Sequence, residues 1–317
     1  MGSLLGSRIL ITGGAGFLSQ HLCKKILNEH NVNKIFLLDR ASNFNNFLKF
    51  SMEKVDYINL DLNNSDELIT FIKETKPTHV FHNAAIINQK LDLAGLRSSM
   101  KVNFFGTYNL LSSLITTPLQ SFIFTSSSEV YGSNQSPFHE DLPLKPTSPY
   151  SISKASAEML VSAFSSENNI PHTIIRPFNV FGEGQSTSML IPHLFTLLVN
   201  GKDIDVTKGE QTRDSNYVSD ICEGLILASN STEAIGEIIN LCSGVELSIK
   251  ELIHKIINIS GIKAKPNFGA IPYRKNEIWR MYGDTKKSNT LLNWKPKVDI
   301  DTGLFKTFKW YSNNNKI

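Results

Sequence analysis

The 317-residue chain predicts an α/β protein, a doubly wound parallel sheet followed by a smaller C-terminal α/β domain. Three observations carry this. Short β-rich runs alternate with helical patterns from the first residues onward. Several of those runs are continuously apolar rather than alternating, as strands covered on both faces should be. After Arg176 the texture changes to shorter elements broken by glycine and proline. The composition agrees: 41% hydrophobic and 19% charged residues match ordinary globular proteins and exclude disordered, collagen-like and coiled-coil chains.

Taken in order, residues 8–12 (RILIT), 34–39 (KIFLLD), 55–60, 79–82 and 121–126 (SFIFTS) read as strands rich in β-branched and aromatic residues. Helical patterns fill 16–29, 65–74, 97–115 and 149–167, the last begun by Ser148 as cap and Pro149 at its first position. Residues 172–176 extend the sheet. Beyond them Gly182, Gly184, Gly201, Pro192, Pro266 and Pro272 interrupt the pattern, which divides the chain into domains 1–176 and 177–317, with some chain crossing back. The polar end, 312–316, is expected to fray.

Charge and cysteine usage exclude several function classes. Lys plus Arg number 32 against 29 acids, a net +3 too small for a nucleic-acid or membrane-surface partner. Cys23, Cys222 and Cys242 have no C-x-x-C spacing and read as reduced packing thiols. No apolar run approaches the ~18 residues that span a membrane. The first seven residues lack a signal peptide's basic and apolar regions, and Gly6 breaks the myristoylation pattern, so a cytoplasmic protein is expected. His21, His30, His82 and His193 form no cluster with carboxylates, and no metal is expected.

The first strand runs directly into Thr12-Gly13-Gly14-Ala15-Gly16-Phe17-Leu18-Ser19, which opens the first helix. Glycines there permit a tight turn and let backbone N–H groups approach a pyrophosphate at the helix N-terminus, with Gly13, Gly16, Phe17 and Leu18 at the contact. Asp39 ends the second strand, 23 residues after Gly16; a carboxylate there accepts from both ribose hydroxyls and repels a 2′-phosphate. This is a Rossmann-type site with NAD as the expected cofactor, although Arg40 leaves NADP open.

The motifs continue with Asp61-Leu62, HNAA at 82–85, Asn103, SSSEVYG at 126–132, Tyr150-x-x-x-Lys154, RPFNVFG at 176–182 and QTRD at 211–214. In this order and spacing they resemble the extended short-chain dehydrogenase/reductase family, in its nucleotide-sugar epimerase and dehydratase branch. The resemblance runs from Thr12 to about Trp294. It implies cofactor contacts at Asp61, Leu62, Ala84, Ala85, Asn103 and Phe178, and a substrate-binding role for the second domain.

Tyr150 and Lys154 are four apart on one helix face, where an ammonium beside a phenol draws the phenol toward ionisation. A phenolate can act as general base on a sugar hydroxyl while hydride leaves for nicotinamide. Tyr282 and Lys286 share the spacing but are interrupted by Gly283 and follow no sheet strand. By the resemblance Lys154 also holds the nicotinamide ribose, and Ser127 binds the reacting oxygen. Ser128 stands where related sugar dehydratases carry Asp before Glu129, which argues against 4,6-dehydration. Glu129 itself fits an acid–base role in an epimerase or decarboxylase, or a structural acceptor beneath the site.

The resemblance further implies that Ser127 and Ser128 bind the substrate, that Asn179 meets the sugar diphosphate, that Met189 and Leu190 pack over the base, and that Arg213 and Arg280 supply the cations the diphosphate requires. Three positions depart from the family pattern: Ser19 for a third glycine, Glu183 for proline, and Ser215-Asn216 for an apolar step. The expected activity is an NAD-dependent epimerase oxidising a nucleotide-diphosphate hexose at C4 to a 4-keto intermediate. Dehydrogenase or 4-ketoreductase activity comes next, then decarboxylase or dehydratase, and last a dinucleotide sensor without chemistry. Helices at 97–115 and 149–167, the latter with Ile152, Ala155, Met159 and Phe164, are expected to form a homodimer's four-helix bundle.

Overall fold

The computed structural model describes residues 4–42, 44–88 and 92–314. Its centre is a seven-stranded, all-parallel sheet. The strands are β1 (Arg8–Thr12), β2 (Lys34–Asp39), β3 (Val55–Asn59), β4 (His79–His82), β5 (Ser121–Thr125), β6 (His172–Pro177) and a seventh, Ile238–Leu241. Their spatial order is seventh, β6, β5, β4, β1, β2, β3. The order reverses between β1 and β4, so the crevice beyond Thr12 and His82 is the switch point at which ligands bind in such sheets.

Both faces of the sheet are covered. Ile9 and Ile11 of β1 belong to a core with Leu22 and Ile26 of α1 (Phe17–Glu29), while Leu10 between them faces Leu68, Leu110 and Val161 on the other side. The second face is covered by α2 (Ser65–Thr75), α4 (Gly106–Leu114) and α5 (Pro149–Glu167), with α3 (Leu93–Ser99) packed beside α5. The helix expected at 97–115 differs from expectation. It starts at Leu93, capped by Asp92, and opens into a π-helical turn over Met100–Phe105 before α4. That widened turn holds Asn103 fully buried, a geometry common where a side chain has a task.

α5 starts as its sequence requires: Ser148 Oγ accepts from Ser151 N at 3.1 Å, Ser151 Oγ accepts from Ser148 N at 2.9 Å, and Pro149 follows the cap. Past Pro177 the chain forms α6 (Leu190–Val199), α7 (Val218–Asn230), α8 (Ile249–Ser260), α9 (Lys286–Leu292) and α10 (Ile300–Asn314). Two-residue strands tie this part together, with Thr212–Arg213 between Leu247–Ser248 and Arg280–Met281. Ile238–Leu241 returns to pair with β6, and Ile221 and Leu225 of α7 share the core beneath α1, so residues after 177 complete the first sheet. Among the described residues no helix is long and apolar enough to cross a membrane.

Candidate active site

The glycine turn lies between two strand ends. Gly13 turns the chain at φ +67°, in the left-handed region. A Cβ on Gly13 would lie 2.9 Å from Ala84 Cα, and one on Gly14 2.7 Å from Leu37 Cβ. Gly16 caps α1 without a side-chain acceptor for the first-turn N–H groups, those at Phe17 and Leu18 among them. Asp39 is fixed beside this turn, its Oδ2 accepting from Ala15 N and its Oδ1 from Ala41 N, each at 3.1 Å. A cradle without side chains, an uncapped positive helix end and a fixed acid fit a dinucleotide. Asp61 follows β3 and accepts from Asn63 N, and buried Leu62 gives its carbonyl to Asn109. Ala84 and Ala85 continue from the end of β4, where Ala84 N donates to Thr12 Oγ1 at 3.2 Å.

At the end of β5 the three serines diverge. Ser127 caps a short 3-10 turn, its Oγ accepting from Glu129 N at 3.1 Å, and it hydrogen-bonds the Tyr150 phenol. Ser128 is turned away and buried, with its hydroxyl 3.4 Å from Met281 Sδ. Glu129 lies near both Tyr150 and Ser148, with Oε2 3.4 Å from Ser148 Oγ. Tyr150 and Lys154 lie on one stripe of α5, and both are buried. Lys154 Nζ donates to Thr125 O at 2.6 Å and lies 4.7 Å from the centre of the Phe124 ring.

One expectation is reversed here. Lys154 does not draw Tyr150 toward neutrality; burial first, then the Glu129 charge, push the phenol up, and the Ser127 hydrogen bond only partly opposes them. Burial also depresses Lys154, from 10.5 to about 7, with Glu158 opposing. Desolvation outweighs the local pairing that the four-residue spacing suggested.

Glu158, four residues beyond Lys154, makes a buried bidentate pair with Arg176, at 2.9 Å to Nε and 2.7 Å to Nη2. Arg176 also lies 4.7 Å over the Tyr131 ring. Asn103, expected at the cofactor, uses its side chain within the protein. Its Oδ1 accepts from Ile86 N, and its amide donates to Ile86 O and to Ser153 Oγ on α5. His82 bridges Thr12 Oγ1 at 2.6 Å and Thr107 Oγ1 at 2.8 Å, and burial followed by the Lys154 charge drops it to about 3. The sequence marked Asn103, His82 and Arg176 but not these supporting roles, and it missed Glu158, whose signal was its place on the Tyr150–Lys154 stripe.

The substrate side also differs from expectation. Arg213 is already engaged, with Glu277 Oε1 at 2.5 Å and the carbonyls of Thr212 and Ile278 at 2.7 Å each. Arg280 makes a bidentate pair with Glu246, 2.7 Å at each contact, and lies over the Tyr282 ring. Both expected cations are thus paired with carboxylates. Phe178 is buried and its N–H goes to Leu241 O, while Asn179 is exposed and gives its carbonyl to Asn216 N. Met189 caps α6 and Leu190 opens it.

Each departure from the family pattern has a place. Ser19 is buried and hydrogen-bonded to Thr12 O and Asn83. Glu183 accepts twice from the Tyr217 hydroxyl, at 2.6 and 2.8 Å, and its carbonyl meets His21 Nε2 at 2.8 Å. Asn216 donates to Asp214. Buried Asp214, the last residue of the QTRD motif, in turn joins Ser243, Gly244 and Gly283, a hub role that the motif did not reveal. Among the described residues no three His, Cys, Asp or Glu side chains are grouped to hold a metal.

Residues 9–242 match the model of the NAD dependent epimerase/dehydratase family. The chain is 31% identical to a putative UDP-glucose 4-epimerase of Methanocaldococcus jannaschii, covering 97% of this chain and 99% of that one. Its fold is similar to that of UDP-glucuronic acid 4-epimerase from Bacillus cereus, solved with UDP-glucuronic acid and NAD, with a TM-score of 0.88 and 28% identity over 96% of this chain and 99% of the other. It is also similar to dTDP-glucose 4,6-dehydratase from Streptomyces venezuelae, solved with NAD, with a TM-score of 0.89 and 26% identity over 96% and 97% of the two chains.

Proposed function

The chain belongs to the NAD dependent epimerase/dehydratase family, whose cofactor is NAD, and from that premise we propose that it is a nucleotide-sugar 4-epimerase. The observation that carries this reading is Tyr150 hydrogen-bonded to Ser127, with Lys154 one turn on along the same helix, beside a buried, non-acidic Ser128. By the resemblance, Ser128 stands where sugar dehydratases carry Asp, which speaks against dehydration. Glu129 leans on Ser148 and Tyr150 instead.

When bound, NAD would supply the hydride acceptor and donor for the sugar carbon, and its oxidised ring would add positive charge to the site. The Gly13–Leu18 turn holds its pyrophosphate, and Asp39 its ribose. Tyr150, as the phenolate, would take the proton of the 4-hydroxyl as the sugar is oxidised and give the same proton back to the 4-keto oxygen on reduction; burial and the Glu129 charge oppose that ionisation in the nucleotide-free site, and the positive charge of the bound cofactor would favour it. Ser127 steadies that oxygen, and Lys154 supplies a cation on the same helix stripe. Arg213 and Arg280, whose forks now hold Glu277 and Glu246, are the groups a diphosphate would engage in place of those carboxylates.

Exposed Phe105, Tyr108, Ile115 and Met159 along α4, α5 and the turn before them support a homodimer through a four-helix bundle. Ala155, expected on that face, is buried, and Phe164 packs edge-on against Tyr108. Three buried free cysteines support a reducing, cytoplasmic setting.

The test incubates NAD-loaded wild-type and Tyr150→Phe protein with UDP-, dTDP-, GDP- and CDP-hexoses and reads products by chromatography and mass spectrometry. The wild type should yield an isomer of unchanged mass, and Tyr150→Phe should lose about 10²–10⁴ in turnover with NAD still bound. Loss of water or carbon dioxide, or undiminished turnover in the variant, overturns the reading.

A further inference from the structure

Three adjacent strand ends carry a chain of hydrogen bonds that leads away from the catalytic lysine. At the end of β5, Thr125 receives Lys154 Nζ on its carbonyl at 2.6 Å, while its hydroxyl donates to Asn83 Oδ1 at 2.6 Å. Asn83, one residue past β4, donates to Ser19 Oγ on α1 at 3.1 Å. Ser19 donates onward to the carbonyl of Thr12, the last residue of β1, at 3.4 Å. The strand order β5, β4, β1 sets these ends side by side, with His82 opposite both Phe124 and Thr12.

The direction of the chain is fixed by counting protons. A serine hydroxyl has one hydrogen, and Ser19 directs it to Thr12 O, so it accepts from Asn83. Asn83 must then turn its amide nitrogen to Ser19 and its oxygen to Thr125. The Thr125 hydroxyl is thereby held in one rotamer, on a β-branched residue whose χ1 is already stiff. A glycine at position 19 could not accept this bond.

We propose that Asn83 and Ser19 are positioning residues that aim Lys154 through Thr125, so that the seating of the dinucleotide-binding helix and the direction of the lysine are set together. This rests on the reading that Lys154 serves the bound cofactor, and the test separates the two.

NAD affinity is measured by calorimetry, and kcat and KM on whichever nucleotide sugar the wild type converts. Removing one hydrogen bond should cost roughly two- to tenfold. Thr125→Val and Asn83→Leu should each weaken NAD about fivefold, and Ser19→Gly about twofold. The double variant Asn83→Leu/Ser19→Gly should bind no more weakly than Asn83→Leu alone, because the link is already cut. Thr125→Ser, which puts the hydroxyl back, should recover the affinity. kcat should fall in parallel, with the sugar KM unmoved. Multiplied losses in the double variant, or a Thr125→Val protein that binds NAD normally with only a lower melting temperature, overturn the proposal. If the NAD pattern appears but no sugar is converted, the catalytic reading fails and the positioning stands. Turnover without the pattern gives the reverse.

Discussion

Replacing Lys154 by Met is expected to stabilise the nucleotide-free protein while abolishing its activity. Lys154 is 2% exposed, its ammonium bonds a neutral carbonyl, and Glu158, the carboxylate nearest along the helix, is committed to Arg176. Burial depresses it from 10.5 to about 7, which corresponds to about 5 kcal/mol against the charged form. The unfolded chain keeps this proton up to about pH 10.5, while the folded chain releases it above about 7. Between those values the unfolded state binds more protons, so stability rises with pH, and below about 7 the whole penalty is present. Met preserves the stem's volume and gives up the hydrogen bond to Thr125, worth about 1 kcal/mol. Lys154→Met should therefore be about 3–4 kcal/mol more stable at pH 6, and the difference should disappear toward pH 10. Urea unfolding of both proteins without nucleotide at pH 6, 8 and 10 measures this directly. A wild type whose stability is flat across that range, together with a variant less stable at pH 6, refutes the reasoning. The confirmed result would mean that the site holds a charge at the expense of the fold.

Glu158→Gln strands Arg176 as an uncompensated charge, since the two side chains are 3% and 2% exposed. A loss of about 3–5 kcal/mol is expected in denaturant unfolding, while the double variant Glu158→Leu/Arg176→Met should recover most of it. Gly132→Ala should unfold or displace the loop bearing Ser127–Glu129, because its Cβ would fall 1.7 Å from Lys145 O at φ +55°. The control is Gly261→Ala, also at positive φ but with nothing within 4 Å. There only the backbone cost of about 1 kcal/mol is expected in melting experiments.

Much of the fold and half of the site were legible in the sequence, because their causes are local. Continuous apolar runs such as 8–12 and 34–39 announce strands covered on both faces. The glycines after Thr12 announce a turn that side chains would block, and Asp39 follows at the end of the next strand. Ser148 and Pro149 state where α5 begins, and the spacing from Tyr150 to Lys154 places both on one stripe. Each of these follows from bond geometry, periodicity or capping within a few residues.

The rest depends on what folding brings together. Arg213 meets Glu277 and Arg280 meets Glu246, so cations read as free diphosphate ligands are already paired. Asn103 turns inward on a π-helical turn to brace Ile86 and Ser153. Ser19 finds Asn83 across 64 positions of sequence. The sign of the Tyr150 shift is the clearest case. The sequence supplied the lysine that lowers a phenol's pKa, but desolvation and the Glu129 charge belong to the assembled site, and they prevail. Residue spacing determines which groups can be neighbours; burial, which exists only in the tertiary structure, determines what charge they carry once they are.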